Sequence, residues 1–196
     1  MANWCSTEYT LYSDNKEELR SLYDLMKGLE EREIPLVENG FGKTWLGCLV
    51  TALGEDWNNF SCRGEWECLE LNDDDTITFS TECAWYRCFE VDNLIQHKYP
   101  SIQIFFKAEE SGMSIYEKND SEGFYYPENY VLDIINDNVY YLETEEEVVR
   151  TLNKVFRQTL KTMEEARTFI KTYNDQPERE KDDNYISFNE ITIVEL

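Results

Sequence analysis

The chain has 196 residues, with 41 acidic side chains against 18 basic ones and a formal net charge of −23. This length predicts one domain, or one domain with an appendage, and area scaling allows about 70% of the unfolded surface to be buried. Its 5 Trp, 13 Tyr and 10 Phe residues exclude a disordered chain. The acid excess argues against binding to nucleic acid or to an anionic membrane. We expect a protein partner of unknown identity and a monomer or small homo-oligomer.

The opening segment and the cysteines predict the compartment. Met1-Ala2-Asn3-Trp4-Cys5 lacks the basic and apolar regions of a secretory signal, and no stretch reaches the length of a membrane span. We therefore predict a cytoplasmic protein with reduced thiols that serve as small core side chains. One His and no Cys-x2-Cys spacing argue against a zinc or iron–sulfur site, and we predict no cofactor. The cysteines are Cys5, Cys48, Cys62, Cys68, Cys83 and Cys88.

The chain begins with a strand and two helices. Residues 4–12 are rich in β-forming side chains and predict a strand. Asp14 followed by Glu17 marks the start of an amphipathic helix that ends near Glu31. Thr44 is placed to cap a second, apolar helix. The apolar positions of the first helix are Leu19, Leu22, Tyr23, Met26 and Leu29.

The following elements complete a βαββαβ order. Once the second helix and the final strand are set aside, this order is that of a ferredoxin-like antiparallel sheet with helices on one face. We therefore predict an α+β protein with a ferredoxin-like domain over residues 1–120. The predicted elements are a hairpin of strands over 65–71 and 76–83 around a turn at 72–75, a helix over Phe89–Lys98, and strands over Ser101–Glu109 and Met113–Lys118. The hairpin residues expected on the core face are Leu69, Leu71, Ile77 and Phe79.

Residues 121–196 predict an α+β extension, packed on the first domain or continuous with it. Strand candidates Tyr125–Ile135 and Val139–Glu143 flank a hairpin turn. A polar linker over 175–184 precedes a β-rich tail over 185–196.

Two capping boxes precede the helical part of this extension. Thr144 with Glu147 predicts a helix start, and Thr162 with Glu165 predicts a second one. No Gly or Pro interrupts residues 144–173, so one continuous helix is an open alternative.

Short motifs in the first 120 residues give the chain a family resemblance. They are Met-Ala-Asn-Trp-Cys at the start, Thr81-Glu82-Cys83-Ala84-Trp85, Lys98-Tyr99-Pro100 and Glu109-Glu110-Ser111-Gly112. With these motifs the chain resembles the YubB-like family, a group of bacterial plasmid- and phage-associated proteins with a ferredoxin-like domain and no established activity. The resemblance implies this fold and a mobile-element setting, and it supplies no catalytic residue. Tyr86-Arg87-Cys88 departs from the proline-containing sequence expected there.

Two loop motifs are similar to ligand-binding loops but lack required residues. Gly42-Lys43-Thr44 resembles the end of a phosphate-binding loop, whose first Gly is replaced here by Val37. Asp73-Asp74-Asp75 resembles the start of a calcium loop, but Thr78 occupies the position where an EF-hand needs Gly. We interpret them as a capped loop and a hairpin tip.

The candidate catalytic residues also lack the partners that catalysis requires. Glu109 and Glu110 are adjacent on a predicted strand, so their side chains face opposite ways. His97 lies near a helix end, where a cation is favoured, and no nucleophile motif accompanies it. The strand over 76–82 lacks the basic-Gly-aromatic pattern of RNA-binding sheets. We predict no catalytic, cofactor-binding or metal-binding residue.

These observations favour a non-enzymatic interaction protein, with the resemblance suggesting an accessory factor of a bacterial mobile element. One alternative is an acidic decoy that occupies the basic groove of a DNA-binding protein. Another is an enzyme whose site is assembled from dispersed residues. A deep pocket with convergent carboxylates would favour the enzyme, and a flat apolar patch would favour the binding protein.

The average charge density predicts a poor general mimic of DNA. Duplex DNA carries about one charge per 100 Å² of a cylinder of roughly 10 Å radius. The 23 net charges of this chain, on roughly 9,700 Å² of folded surface, give about one per 400 Å². We expect no displacement of duplex DNA from an unrelated basic DNA-binding domain at physiological salt. Stoichiometric, salt-sensitive displacement in a competition assay would instead favour the decoy.

Overall fold

The computed structural model describes residues 3–134, 137–176 and 185–195. By its backbone contacts the chain divides into two compact units, Met1–Ser121 with Ile193–Leu196, and Glu122–Thr192. The described residues form five α-helices and two sheets, which is a mixed α+β architecture.

The first unit contains most of a six-stranded sheet and three helices. Its strands are β1 (Trp4–Tyr12), β2 (Gly64–Leu71), β3 (Thr76–Ala84), β4 (Gln103–Glu110) and β5 (Ile115–Lys118). Its helices are α1 (Lys16–Glu30), α2 (Leu46–Ala52) and α3 (Phe89–Lys98). The second unit contains β6 (Tyr130–Ile134), β7 (Val139–Leu142), α4 (Glu145–Phe156), α5 (Met163–Asn174) and β8 (Ile186–Glu190), and β9 (Thr192–Ile193) follows.

The six-stranded sheet has the order β2-β3-β1-β4-β5-β9. The pairs β2/β3, β3/β1, β1/β4 and β4/β5 are antiparallel. Tyr9 at the centre lies opposite Phe79 on one side and Phe106 on the other, and its ring stacks on Phe79 at 4.8 Å between centroids. Because side chains alternate along a strand, this register places one apolar face in the core with α1, α2 and α3.

Helix α1 begins where the sequence indicates, but with a different cap. The side chain of Asn15, rather than that of Asp14, accepts hydrogen bonds from the N–H groups of Glu17 and Glu18. Asp14 instead accepts a bond from the Tyr12 hydroxyl at 2.6 Å, so its carboxylate is occupied. Of the five predicted apolar positions, Tyr23 is half-buried and packs against the core, and the others are buried.

The predicted cap of α2 is wrong. Trp45 occupies the N-cap position, without a side-chain cap. The carbonyl of Thr44 accepts the N–H of Trp66 at 3.0 Å, so the backbone before α2 pairs with the edge of β2. This pairing, together with the bridge between Trp45 and Glu65, fixes the helix start in place of a hydroxyl cap.

Two predicted strands are shorter than expected. The strand predicted over 113–118 begins at Ile115, because the Glu110 carboxylate accepts the N–H groups of Gly112 and Met113 and holds a 3-10 turn there. The strand predicted over Tyr125–Ile135 begins at Tyr130. Residue 135, part of the turn predicted at 136–138 and residues 177–184 of the predicted linker lie outside the described residues.

In the second unit, β7, β6 and β8 form an antiparallel sheet that packs with α4 and α5. Two helices, rather than one, follow Thr144. Asn153 holds the connection between them, because its side-chain oxygen accepts the N–H of Leu160 at 2.7 Å and its amide donates to the Leu160 carbonyl at 2.9 Å. Arg157 adopts the left-handed conformation that ends α4. Both predicted threonine caps are confirmed.

The cap of α4 gives a direct stability test. The Thr144 hydroxyl accepts the Glu147 N–H at 3.3 Å, so Thr144→Ala leaves this group without its partner. We expect a loss of about 1 kcal/mol in unfolding free energy, measured by urea denaturation. Thr168→Ala is the control, since its hydroxyl bonds to the Glu164 carbonyl inside α5. We expect it to stay within about 0.5 kcal/mol, and equal effects would contradict the capping role.

Candidate functional site

The connection between β3 and α3 displays a tryptophan. Trp85 has a φ of +73°, a left-handed conformation that bulky side chains rarely adopt. Its side chain is 47% exposed, and its N–H donates to the Asn3 carbonyl at 2.8 Å. Such conformations cost about 1–3 kcal/mol and persist only where the surrounding structure imposes them. We call residues 85–88 the tryptophan loop.

A buried ion pair anchors this loop. Arg87 is only 7% exposed, and its guanidinium pairs with the carboxylate of Asp92, which is 4% exposed. The guanidinium carbon lies 4.0 Å from the centroid of the Phe106 ring, within range of a cation–π interaction. The Tyr9 hydroxyl donates to the same carboxylate at 3.3 Å. The loop is thus fixed to β1, β4 and α3 by one side chain and its partners.

The pKa of Asp92 reflects the cost of this burial. Burial raises the pKa from 3.8 to about 6, although the Arg87 guanidinium and the Tyr9 hydroxyl both favour the charged carboxylate. Burial also raises the pKa of Tyr9, which stays a hydrogen-bond donor. A cavity of about 10 Å³ lies beside Tyr9 and Asp92, with no more than the room that one water requires.

Thiols lie in the tryptophan loop and next to it. All six cysteines are free, and five are buried. The Cys88 thiol bonds to Cys83, which lowers the pKa of Cys83 and raises that of Cys88. Burial raises the pKa of Cys5 to about 11, so this thiol is protonated at neutral pH. The expectation of buried thiols is wrong for Cys68, which is exposed because it lies in an irregular part of β2 with a φ of +55°.

The polar face of the six-stranded sheet carries glutamates in neighbouring strands. Adjacent strands are in register, so side chains of one row stand side by side. One row contains Glu65 of β2, Glu82 of β3 and Ser6 of β1, and the next contains Glu67, Ser80 and Glu8. We call these six positions the acidic rows. Trp4 and Ala84 form the row beyond Ser6 and Glu82, directly before the tryptophan loop.

Like charges in the acidic rows oppose one another. Glu65 lies directly opposite Glu82, an arrangement that destabilises a sheet. Partial burial raises the pKa of Glu65, and the neighbouring carboxylates of Glu67 and Glu82 raise it further. The strands hold these carboxylates side by side in spite of their repulsion.

Two cations accompany the four carboxylates. Lys107 approaches Glu8 at 3.4 Å, and Arg63 is exposed immediately before β2. The acidic rows therefore keep a net negative charge.

In the loop at Gly42-Lys43-Thr44, two neighbouring backbone donors are already occupied. The side-chain oxygen of Asn39 accepts the N–H groups of Phe41 and Gly42 at 2.6 and 2.8 Å. Gly42 has a φ of +98°, which only glycine adopts readily. This loop is closed on itself by Asn39 and does not present a phosphate cradle.

The other sequence candidates lie at a hairpin tip, at the end of β4 and in the last turn of α3. Asp74 accepts the Thr76 N–H and hydroxyl at the hairpin tip. Glu110 is buried and caps the turn after β4, whereas Glu109 lies on the opposite face beside Ser6. His97 is exposed in the last turn of α3.

The second unit contains a surface groove of about 470 Å³ between α4 and α5. Charged side chains of both signs line it, namely Glu145, Glu146, Arg150 and Lys161. The two glutamates are successive residues in the first turn of α4, where they favourably face the helix dipole. The two carboxylates in the groove therefore have a structural role, which is to stabilise α4.

Metal sites, membrane helices and relatives give no further lead. Within residues 3–134, 137–176 and 185–195, no three His, Cys, Asp or Glu side chains are arranged to hold a metal ion. In the same part of the chain, every helix is too short or too polar to cross a membrane. No protein-family model, curated protein or solved structure matches the chain, so the functional argument depends on its own side chains.

Sequence reasoning did not identify the tryptophan loop or the acidic rows. The period of β2 misleads, since Glu65 and Glu67 have the same phase as Leu69 and Leu71, which the sequence predicts on the core face. The irregularity between Glu67 and Glu70 reverses this phase, so that Trp66 and Leu69 are buried and the two glutamates lie on the polar face. Arg87 gives no signal either, because nothing in its neighbours indicates that a guanidinium is buried.

The titration of Asp92 tests the buried ion pair. Between about pH 4 and 6 the folded protein keeps a proton that the unfolded chain has released, because burial raises the pKa to about 6. The stability from this group is thus complete below about pH 4 and is lost as pH rises through about 6. We expect the Asp92 side-chain carbon to titrate near pH 6 in ¹³C NMR, with Asp92→Asn to assign it. A midpoint below pH 4 would mean that Arg87 outweighs burial.

Proposed function

We propose that this chain is a non-enzymatic interaction protein that binds a protein partner through the tryptophan loop. The observation that carries the proposal is the display of Trp85. Its side chain is half-exposed, and its backbone is held in a left-handed conformation. Tryptophan is enriched among the residues that dominate binding energy at protein interfaces. A rigid loop that displays one lowers the entropy cost of association.

The anchoring of the loop supports this proposal. Arg87, Asp92, Tyr9 and Phe106 form a buried cluster below the loop. On the surface, the Tyr86 hydroxyl bonds to Glu117 of β5. These contacts impose the strained conformation on Trp85, and strain of this kind collects at binding and switching sites.

We further propose a ferredoxin-like arrangement for the first unit and membership of the YubB-like family. The order β2-β3-β1-β4 with antiparallel neighbours supports the ferredoxin-like arrangement, since split βαβ units interleave their strands in this way. The motifs in the first 120 residues support the family. On that resemblance, the protein acts in the cytoplasm as an accessory factor of a bacterial mobile element.

The acidic rows favour a second candidate, the decoy that occupies a basic groove of a DNA-binding protein. Four carboxylates on one sheet face attract a basic partner over several ångströms. In this alternative, the charge carries the binding and Trp85 is not essential.

Substitution of Trp85 tests the proposed function. Immobilised wild-type protein, exposed to a lysate of the organism that encodes it, should retain a stoichiometric partner. We expect Trp85→Ala to reduce this retention at least tenfold. Phe124→Ala is the matched control, because Phe124 is 79% exposed in the second unit, and it should retain the partner.

Trp85→Gly separates binding from folding. Glycine adopts a φ of +73° without the cost that alanine has, so Trp85→Gly should be about 1 kcal/mol more stable than Trp85→Ala in urea denaturation. Both variants should lose the partner. Retention of every captured protein by both variants would contradict the proposal.

A further inference from the structure

We propose that the acidic rows, with Trp4 and Trp85 at their border, bind an extended, arginine-rich segment of the partner protein. This inference rests on the proposed function and names the chemistry of the partner. The surface concerned is the polar face of β2, β3 and the first half of β1. Within it Trp4, Ser6, Glu8 and Glu67 are exposed to solvent, and the exposed Trp85 directly follows β3.

The charge of this surface indicates a basic occupant. Glu65 and Glu82 stand opposite each other, and Glu67 adds to their mutual repulsion. Cations from a partner would neutralise carboxylates that the sheet itself forces together. Binding therefore removes an unfavourable interaction from the free protein in addition to forming new contacts.

The aromatic border favours arginine over lysine. Trp4 is 46% exposed, and its ring packs edge-on against Phe41 at 6.3 Å between centroids. A guanidinium stacks on such rings and also donates two parallel hydrogen bonds to a carboxylate. An ammonium is a more strongly hydrated point charge with neither planar contact.

The spacing of the carboxylates favours an extended segment. Glu65 and Glu67 are two residues apart on β2, which separates them by about 6.7 Å. Alternate residues of an extended peptide have the same separation and point to one side. Arginines at alternate positions therefore match the spacing of the acidic rows.

The size of the surface favours a short segment over the groove of a DNA-binding domain. Each position on a sheet face occupies about 32 Å², so the six positions cover about 200 Å². Interfaces with DNA bury about 1,000–2,500 Å² of protein. The acidic rows offer enough area for two or three arginines and too little to imitate a DNA site.

The experiment uses a defined probe and the full chain. The probe is a fluorescein-labelled peptide, Gly-Ser-Arg-Ser-Arg-Ser-Arg-Ser-Gly, and its lysine counterpart is the comparison. Fluorescence anisotropy at 150 mM salt measures Kd. We expect the arginine probe to bind at least fivefold more tightly than the lysine probe. Equal affinities would overturn the selectivity for arginine.

Matched protein variants test the location. The Glu65→Gln/Glu82→Gln double variant should weaken binding of the arginine probe at least tenfold, and Trp85→Ala at least fivefold. Glu31→Gln/Glu33→Gln removes the same charge at exposed positions after α1 and should change Kd less than twofold. An equal loss of affinity in both double variants would mean that net charge alone explains the binding. This result would overturn the proposal.

Thermal unfolding provides a readout that a purely structural role would not give. Because Glu65 and Glu82 repel each other, the first double variant should melt about 1–3 °C above the wild type while it binds more weakly. A melting temperature below that of the wild type would contradict the repulsion on which the proposal depends.

The two proposals fail separately. If the arginine probe does not bind while Trp85→Ala still loses the captured partner, this inference is wrong and the proposed function stands. If the probe binds as expected while Trp85→Ala keeps every captured protein, the proposed role of the loop is wrong.

Discussion

The ion pair between Arg87 and Asp92 is the constraint on which the surface of the first unit depends. Burying both charges is costly, and hydrophobic side chains of similar volume often give equal or greater stability. The buried pair instead fixes the position of the tryptophan loop. Arg87 pairs with Asp92 of α3 and lies over the Phe106 ring of β4, so the loop that carries it is tied to both elements. That arrangement determines where Trp85 stands and why its backbone tolerates a left-handed conformation.

Three local conflicts of this structure lie near the tryptophan loop. Trp85 has an unfavourable φ, Asp92 is a buried carboxylate with a raised pKa, and Glu65 faces Glu82 across two strands. In α1, by contrast, local preference and packing agree, as its Asn15 cap and its buried apolar stripe show. Proteins generally violate such rules where function requires it. The grouping of three conflicts around one loop is therefore an argument for function at that place.

Regular elements were predictable because their signals are local. Residues that are close together in the sequence determine the apolar period of α1. The same holds for the threonine caps of α4 and α5. The cap of α2 was not predictable, because the carbonyl of Thr44 bonds to Trp66 of β2, 22 residues further along the chain. Arg87 was missed for the same reason, since its partners include Phe106 on a distant strand. The acidic rows required the strand register, which no single segment contains.

The acid excess of the chain has different consequences in different places. Glu145, Glu146 and Glu147 face the positive end of α4, where they stabilise the helix. Asp74 accepts hydrogen bonds in a turn, which satisfies its carboxylate. Within the described parts of the chain, Glu65, Glu67 and Glu82 have no such compensation, and their strands prevent them from moving apart. An average over the surface treats these carboxylates alike, at about one charge per 400 Å². The register instead places four of them on about 200 Å², which leaves about one net charge per 100 Å² when Lys107 and Arg63 are counted. The field that a partner meets is therefore set by strand pairing and not by composition.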